Sequence, residues 1–138
     1  MAKLFNLKIL TPERQFFDGD VEVLTVTTID GRFSFLAGHV PVVMPLAVGT
    51  LVFKTGDGAI EVFNSEGFME VRHEGVLVYV QACERPEEID KRRAEEAKMR
   101  AEERLRQQQS MQEYRQSKLA LARAMARLRI TRQDDFND

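Results

Sequence analysis

Apolar and polar positions alternate with a period of two over roughly the first eighty residues, and then give way to a period near 3.6. In the stretch 4–10, Phe5, Leu7 and Ile9 fall on one side and Leu4, Asn6 and Lys8 on the other, until Thr11-Pro12-Glu13 ends the run, which predicts a first β-strand. Gln15 to Phe17 and Val21 to Thr28 read as two more strands around a turn at Asp18-Gly19-Asp20; the second is rich in β-branched residues, namely Val21, Val23, Thr25, Val26 and Thr27. Asp30-Gly31 supplies a tight hairpin turn because glycine accepts positive φ, and Arg32 to Leu36 returns as a strand. Ala37-Gly38-His39-Val40-Pro41, with Pro45 soon after, breaks the series as a corner. Strands at 50–54 and 59–63 follow, joined through Thr55-Gly56-Asp57-Gly58. The chain then turns at Asn64-Ser65-Glu66-Gly67 into Phe68 to Arg72, and at His73-Glu74-Gly75 into a last strand, Val76 to Cys83. Many short strands with no helix between them predict an antiparallel β-sandwich and not a parallel α/β sheet.

Between Glu84 and Arg106 the usage switches abruptly to Glu, Arg, Ala and Lys, with no glycine and no β-branched residue after Ile89. Pro86 suits a first helical turn, where its missing N–H would be unpaired anyway, and Glu87, Glu88 and Asp90 place negative charge at the positive end of the helix dipole, so a helix is predicted to start here. Ile89, Arg93 and Arg100 fall on nearly one line of that helix, beside a row of Asp90, Ala94, Ala97 and Ala101, giving a face that is both cationic and closely approachable. Ser110-Met111-Gln112-Glu113 has the form of a capping box, predicting a second helix with an apolar stripe of Met111, Tyr114, Leu121, Met125 and Leu128. The acidic end, residues 134–138, is expected to fray. The predicted fold is therefore α+β: an N-terminal antiparallel β-sandwich over residues 1–84, followed by a C-terminal two-helix antiparallel hairpin in residues 85–138. A hairpin whose contact rows are mostly alanine buries little apolar area, so a small extra free energy from a ligand or partner decides between its folded and extended forms.

Charge sharpens the division. Residues 1–84 carry 6 Lys/Arg against 11 Asp/Glu, whereas 85–138 carry 14 against 11, within a chain of net charge −2. From Arg115 to Arg132 the second helix holds Arg115, Lys118, Arg123, Arg127, Arg129 and Arg132 and no acid, a cationic rod that seeks an acidic partner. Nucleic acid does not fit, because the chain is acidic overall and Tyr114 is the sole aromatic on that stripe. The single cysteine, Cys83, cannot form an internal disulfide, the apolar run in MAKLFNLKIL is too short for a secretory signal, and no stretch approaches the length of a bilayer span, so the expected setting is cytosol-like. His39 and His73 have no partner at ligand spacing, which predicts no metal site and no catalytic dyad.

The order of these parts is diagnostic: the Gly38-His39-Val40-Pro41 corner, the Gly67-Phe68-Met69-Glu70-Val71 turn and strand, and Cys83-Glu84-Arg85-Pro86-Glu87-Glu88-Ile89-Asp90 leading into a helical hairpin. Across essentially its whole length the chain resembles the epsilon subunit of the bacterial and chloroplast rotary ATP synthase. The most specific element is the signature Ile/Leu-Asp-x-x-Arg-Ala, present as Ile89-Asp90-Lys91-Arg92-Arg93-Ala94. One position departs from the family pattern: where Gly-Glu/Asp-x-Gly-Ile-Leu is common, this chain has Gly31-Arg32-Phe33-Ser34-Phe35-Leu36, so the second glycine is Ser34.

The resemblance implies a non-catalytic rotor subunit of a proton-translocating ATP synthase. Its β-domain would grip the gamma subunit and the ring of c subunits, and its helices would inhibit ATP hydrolysis by approaching the catalytic beta and alpha subunits when the hairpin extends. It would sit at the cytoplasmic face of the cell membrane, peripheral and attached only through the complex. It also implies a regulatory ATP site on the folded hairpin, carried here by Glu84, Ile89, Asp90, Arg93, Ala94, Arg100, Arg123 and Arg127. The chemistry is coherent: Arg123 and Arg127 are i, i+4 neighbours, and guanidinium forks converging with Arg93 and Arg100 suit a phosphate chain. Glu84 and Asp90 would either accept from the adenine amino group or orient the arginines, and Ala94 would admit the ligand close to the helix. No Gly-x-x-x-x-Gly-Lys-Ser/Thr loop occurs in the chain, so such ATP would be a signal and not a substrate. The rival from another class is a free-standing nucleotide-sensing or scaffold protein without catalytic activity.

Overall fold

The computed structural model describes residues 3–137, with side chains described as far as Arg132. The chain divides into two compact units, Met1–Cys83 and Glu84–Asp138.

The first unit is a sandwich of two five-stranded sheets. Its strands in chain order are β1 (Phe5–Leu10), β2 (Gln15–Val21), β3 (Val23–Thr28), β4 (Gly31–Leu36), β5 (Val42–Leu46), β6 (Gly49–Thr55), β7 (Gly58–Asn64), β8 (Gly67–Arg72), β9 (Gly75–Val80) and β10 (Cys83–Glu84). One sheet has the order β2-β1-β9-β8-β5 and the other β10-β7-β6-β3-β4. Among the registered pairs, β1 and β9 run parallel, with Leu7 opposite Val76 and Ile9 opposite Val78, and the others are antiparallel. The alternation read in the sequence sorts residues as a half-buried sheet requires. Leu7, Ile9, Leu24, Val26, Leu51, Phe53, Val62, Met69 and Val78 are fully buried in one continuous core between the sheets.

Three features of this unit differ from expectation. No turn interrupts Asp18-Gly19-Asp20: β2 runs straight through it, with Asp18, Gly19 and Asp20 paired to Lys8, Leu7 and Asn6. Gly19 serves no turn; a Cβ there would stand 3.0 Å from the tip of the Phe17 ring, which would have to give by a few tenths of an ångström. The Asn6 amide adds a bond to the Asp18 carboxylate at 3.0 Å. A strand absent from the sequence reading, β5, contains Pro45; it lies at a sheet edge, where the missing N–H leaves no ladder bond unmade. The last expected strand is split, because the backbone at Ala82 leaves the ladder to bond Ser65 through both its N–H (2.7 Å to the hydroxyl) and its carbonyl (2.9 Å from the Ser65 N–H). The Asp30-Gly31 hairpin is present, with Gly31 at φ 119° and Thr28 paired to Gly31. Ser34 lies in β4 opposite Thr25, and their hydroxyls bond at 2.8 Å.

In the second unit, the helix does not start at Pro86. Pro86–Glu88 forms a single 3-10 turn, Ile89 is extended (φ −89°, ψ 125°), and α1 spans Lys91–Arg106. Asp90 is its N-cap, the carboxylate accepting from the Arg93 N–H at 3.2 Å. That preference of aspartate for the cap was the signal that outranked the proline. After a short loop, α2 spans Met111–Asn137, longer than the expected end near 132, with the Ser110 hydroxyl accepting from the Glu113 N–H at 3.2 Å. The acidic end continues the helix as far as Asn137; Asp138 lies outside the described residues. The expected stripe on α2 is corrected in part: Leu128 is buried and Leu121 half-buried, but Met111, Tyr114 and Met125 are exposed, and Leu128 shares the buried line with Ser117, Ala124 and Thr131, with Ala126 and Ile130 also buried. On α1 the buried residues are Ala94 and Ala101. Small side chains let the helix backbones approach, so alanine, serine and threonine occupy the seam that methionine was expected to fill.

Candidate functional site

The Ile89-Asp90-Lys91-Arg92-Arg93-Ala94 signature folds into a helix start with a cavity beside it. The Asp90 cap fixes the first turn of α1, which sets Arg93 and, two turns on, Arg100 along one side, with Ala94 and Ala97 between them. Glu84 and Glu88 come from the lead-in and Arg127 from the middle of α2. These groups and Ile89 enclose a cavity of about 350 Å³ that lies wholly within the second unit.

Seven of the eight residues singled out in the sequence, Glu84, Ile89, Asp90, Arg93, Ala94, Arg100 and Arg127, line this cavity. Arg123 does not; it is half-buried on α2, one turn before Arg127. Glu88 lines it and was missed as a site residue. Its signal was local: it stands three residues after Arg85 and its carboxylate accepts from the Arg85 N–H at 3.0 Å, which holds the 3-10 turn together. Ala97, assigned from periodicity only to the small-residue row, is a wall of the cavity.

Three guanidinium groups thus face the same space as three carboxylates. Arg127 donates from Nε to Glu84 Oε1 at 2.8 Å and from Nη2 to Oε2 at 3.2 Å, a two-pronged pair joining residues 43 positions apart, with both side chains about 28% exposed. Among the described residues Arg93 and Arg100 have no ion-pair partner. Arg93 and Arg100, both exposed, and Arg127 offer guanidinium forks suited to an anion with several oxygens, beside the carboxylates of Glu84, Glu88 and Asp90. No group of three or more His, Cys, Asp and Glu suited to a metal ion occurs among the described residues.

A larger cavity of about 610 Å³ lies in the first unit, lined by residues of the 10–15 loop, Phe68 and Tyr79. It is mainly apolar. Its one cationic group, Arg14, donates to the Cys83 carbonyl at 3.2 Å and lies 5.0 Å over the Phe16 ring, so it offers no convergent charge to a phosphate. The two histidines line a separate pocket of about 140 Å³, where His39 meets the Phe35 ring edge-on at 4.5 Å.

The protein is a two-part chain, a β-sandwich followed by a long helical hairpin, and comparison with known proteins gives that class a family. Residues 4–86 match the family described as ATP synthase, Delta/Epsilon chain, beta-sandwich domain, and residues 87–132 match its long alpha-helix domain. The chain is 50% identical over 131 residues to the ATP synthase epsilon chain of Caldanaerobacter subterraneus subsp. tengcongensis, covering 94% of this chain and 95% of that one. It is 45% identical over 127 residues to the epsilon chain of Ruminiclostridium cellulolyticum, covering 92% and 95%. In fold it is similar to a chain of the Euglena gracilis mitochondrial ATP synthase OSCP/F1/c-ring structure, with TM-score 0.79 at 22% identity over 99% of this chain and 83% of that one. A chain of the Tetrahymena thermophila mitochondrial ATP synthase central stalk and c-ring structure superposes with TM-score 0.65 at 12% identity, covering 94% and 98%. The chain belongs to the ATP synthase delta/epsilon family, and its relatives at the highest identities above are epsilon chains. It is accordingly a structural or regulatory subunit, not the catalytic one.

Proposed function

We propose that this chain works at the foot of the rotor of a proton-translocating bacterial ATP synthase. Its sandwich couples the gamma subunit to the c ring, and its hairpin is a nucleotide-dependent brake on ATP hydrolysis. The rotor placement is supported by the epsilon-chain relatives and by the central-stalk and c-ring complexes that contain its structural neighbours. On this reading the subunit is peripheral at the cytoplasmic face of the membrane; no described helix is long and apolar enough to cross one.

The observation that carries the regulatory part is the convergence of Arg93, Arg100 and Arg127 on one cavity with small walls at Ala94 and Ala97. Arginine forks hold the phosphate chain of ATP, Asp90 and Glu88 stand near the lead-in as acceptors, and nothing there supplies the lysine-bearing loop of phosphoryl transfer. Bound ATP bridges α1 and α2 and favours the folded hairpin; without it the folded state rests on the small-residue seam and the Arg127–Glu84 pair. When extended, the basic run from Arg115 to Arg132 meets an acidic surface on the catalytic beta and alpha subunits and obstructs rotation. The test is deletion of residues after Gln107 in the assembled enzyme: ATP hydrolysis should rise, and an unchanged rate would sink the brake.

A further inference from the structure

The turn that reverses the chain between α1 and α2 lacks the backbone devices that often fix such a turn. Residues 107–110 are Gln-Gln-Gln-Ser, with no glycine, and among the described residues no non-glycine position has a positive φ. Gln107, which ends α1, is extended (φ −87°, ψ 153°), so α1 has no left-handed cap to close it onto the loop. Two side-chain bonds tie the turn instead. The Ser110 hydroxyl caps α2, and the buried Ser117 hydroxyl donates to Gln109 Oε1 at 3.3 Å. The other end of that amide is left over: Gln109 Nε2 is buried and has no hydrogen-bond partner among the described residues. Turning the amide round only exchanges which end is left over, since the one serine hydroxyl reaches one end of it.

We propose that Gln109 is a built-in weak point of the hairpin turn, a residue that favours opening because half of its amide is out of water and unbonded only while the hairpin is folded. When the helices separate, both ends of the amide meet water. An apolar side chain of equal length would carry no such cost and would favour closure. The Ser117 hydroxyl would then turn to the Glu113 carbonyl one helical turn before it, as buried helical serines do. Gln109 does not line the cavity beside Ile89 to Ala94, so it shifts the balance between folded and open forms without touching the groups that would hold a nucleotide. Its consequence for rotation rests on the brake reading above: a weak turn keeps the hairpin responsive to a small free energy, and a strong one holds it folded.

The experiment measures hydrogen exchange of the α1 and α2 amides in the full chain without nucleotide, for the wild type and the Gln109→Met and Gln109→Leu variants. Removing the unbonded amide should slow exchange along both helices by about fivefold in Gln109→Met, with the same direction in Gln109→Leu and no change in the strands. Slower exchange in either variant supports the weak point, because a residue that merely supported the turn would give faster exchange when replaced. Exchange equal to or faster than wild type in both variants overturns it, whatever the enzyme does. The same variants in the assembled enzyme separate this proposal from the brake: slower exchange with higher ATP hydrolysis supports both, and slower exchange with unaltered hydrolysis supports the weak point and refutes only the brake.

Discussion

The two units bury different things, and the difference accounts for what each is suited to do. The sandwich encloses Leu7, Ile9, Leu24, Leu51, Phe53, Val62, Met69 and Val78 at 0% exposure, large side chains each worth about 1.5–3 kcal/mol on burial. Along the hairpin the buried residues of α1 are two alanines, and on α2 Ser117, Ala124, Ala126 and Thr131 accompany Leu128 and Ile130. Alanine brings little apolar area to a contact, and serine and threonine bring hydroxyls that need partners: Ser117 bonds the Gln109 side chain at 3.3 Å and Thr131 the Leu128 carbonyl at 2.9 Å. A sheet core of this kind persists through any cycle of binding. A seam of small residues with an ion pair beside it is the kind of packing that the nucleotide-dependent brake proposed above requires.

The contrast breaks most sharply in the sandwich core. Phe53→Ala should cost about 3–5 kcal/mol of sandwich stability, measured as a shift of the denaturant midpoint at constant m-value. In the hairpin, Ala101→Leu forces a large side chain into a seam 2% exposed, and overpacking of about 1–3 kcal/mol should open it. Hydrogen exchange would then rise across 91–132 while the strands stay protected; equal exchange in both would contradict the separate stabilities. At the candidate site the two arginines of α2 are predicted to differ. Arg127→Ala, which removes a cavity wall and strands Glu84, should weaken ATP binding about tenfold or more, and Arg123→Ala, outside the cavity, by less than about threefold, both read by calorimetry. The smallest effect is expected at the sandwich surface: Ser34→Gly loses the hydroxyl pair with Thr25 and adds glycine to a strand, costing about 0.5–1.5 kcal/mol in thermal unfolding.

Most of this architecture is legible in the chain, and the parts that are not share a cause. Period-two alternation predicts β1, β3, β4 and β6 to β9 because one face of each must meet the core. It fails at β2, where Asp-Gly-Asp reads as a turn although the ladder to Asn6, Leu7 and Lys8 holds it straight, and at β5, where Pro45 reads as a break although an edge strand tolerates it. Both are decided by pairing with another strand, β2 with β1 and β5 with β8, which the local residues do not show. Local signals also compete within a few residues: Pro86 and Asp90 each offer a helix start, and the stronger cap prevails. On α2 the large residues Met111, Tyr114 and Met125 suggest a packing stripe, but close approach of two helices selects the small ones.

At the site, spacing alone places Arg93, Ala94, Ala97 and Arg100 on one side of α1, and the family resemblance beyond the Ile89–Ala94 signature supplies Glu84 and Arg127. The clasp between those two is beyond sequence reasoning, since it joins residues 43 positions apart through side-chain geometry. Arg123 illustrates the reverse limit: its i, i+4 relation to Arg127 is correct, yet one turn of helix is enough to take it out of the cavity wall.

The central claim is that a ligand at this cavity governs the hairpin and leaves the sandwich alone. It is tested most directly by hydrogen exchange on the full chain during a titration with ATP. Saturable protection of amides is expected in α1 and α2, centred on Ile89 to Ala94 and around Arg127, with none in β1 to β9. Saturating ATP that leaves exchange in both helices unchanged, or protects the strands to the same degree, would contradict it.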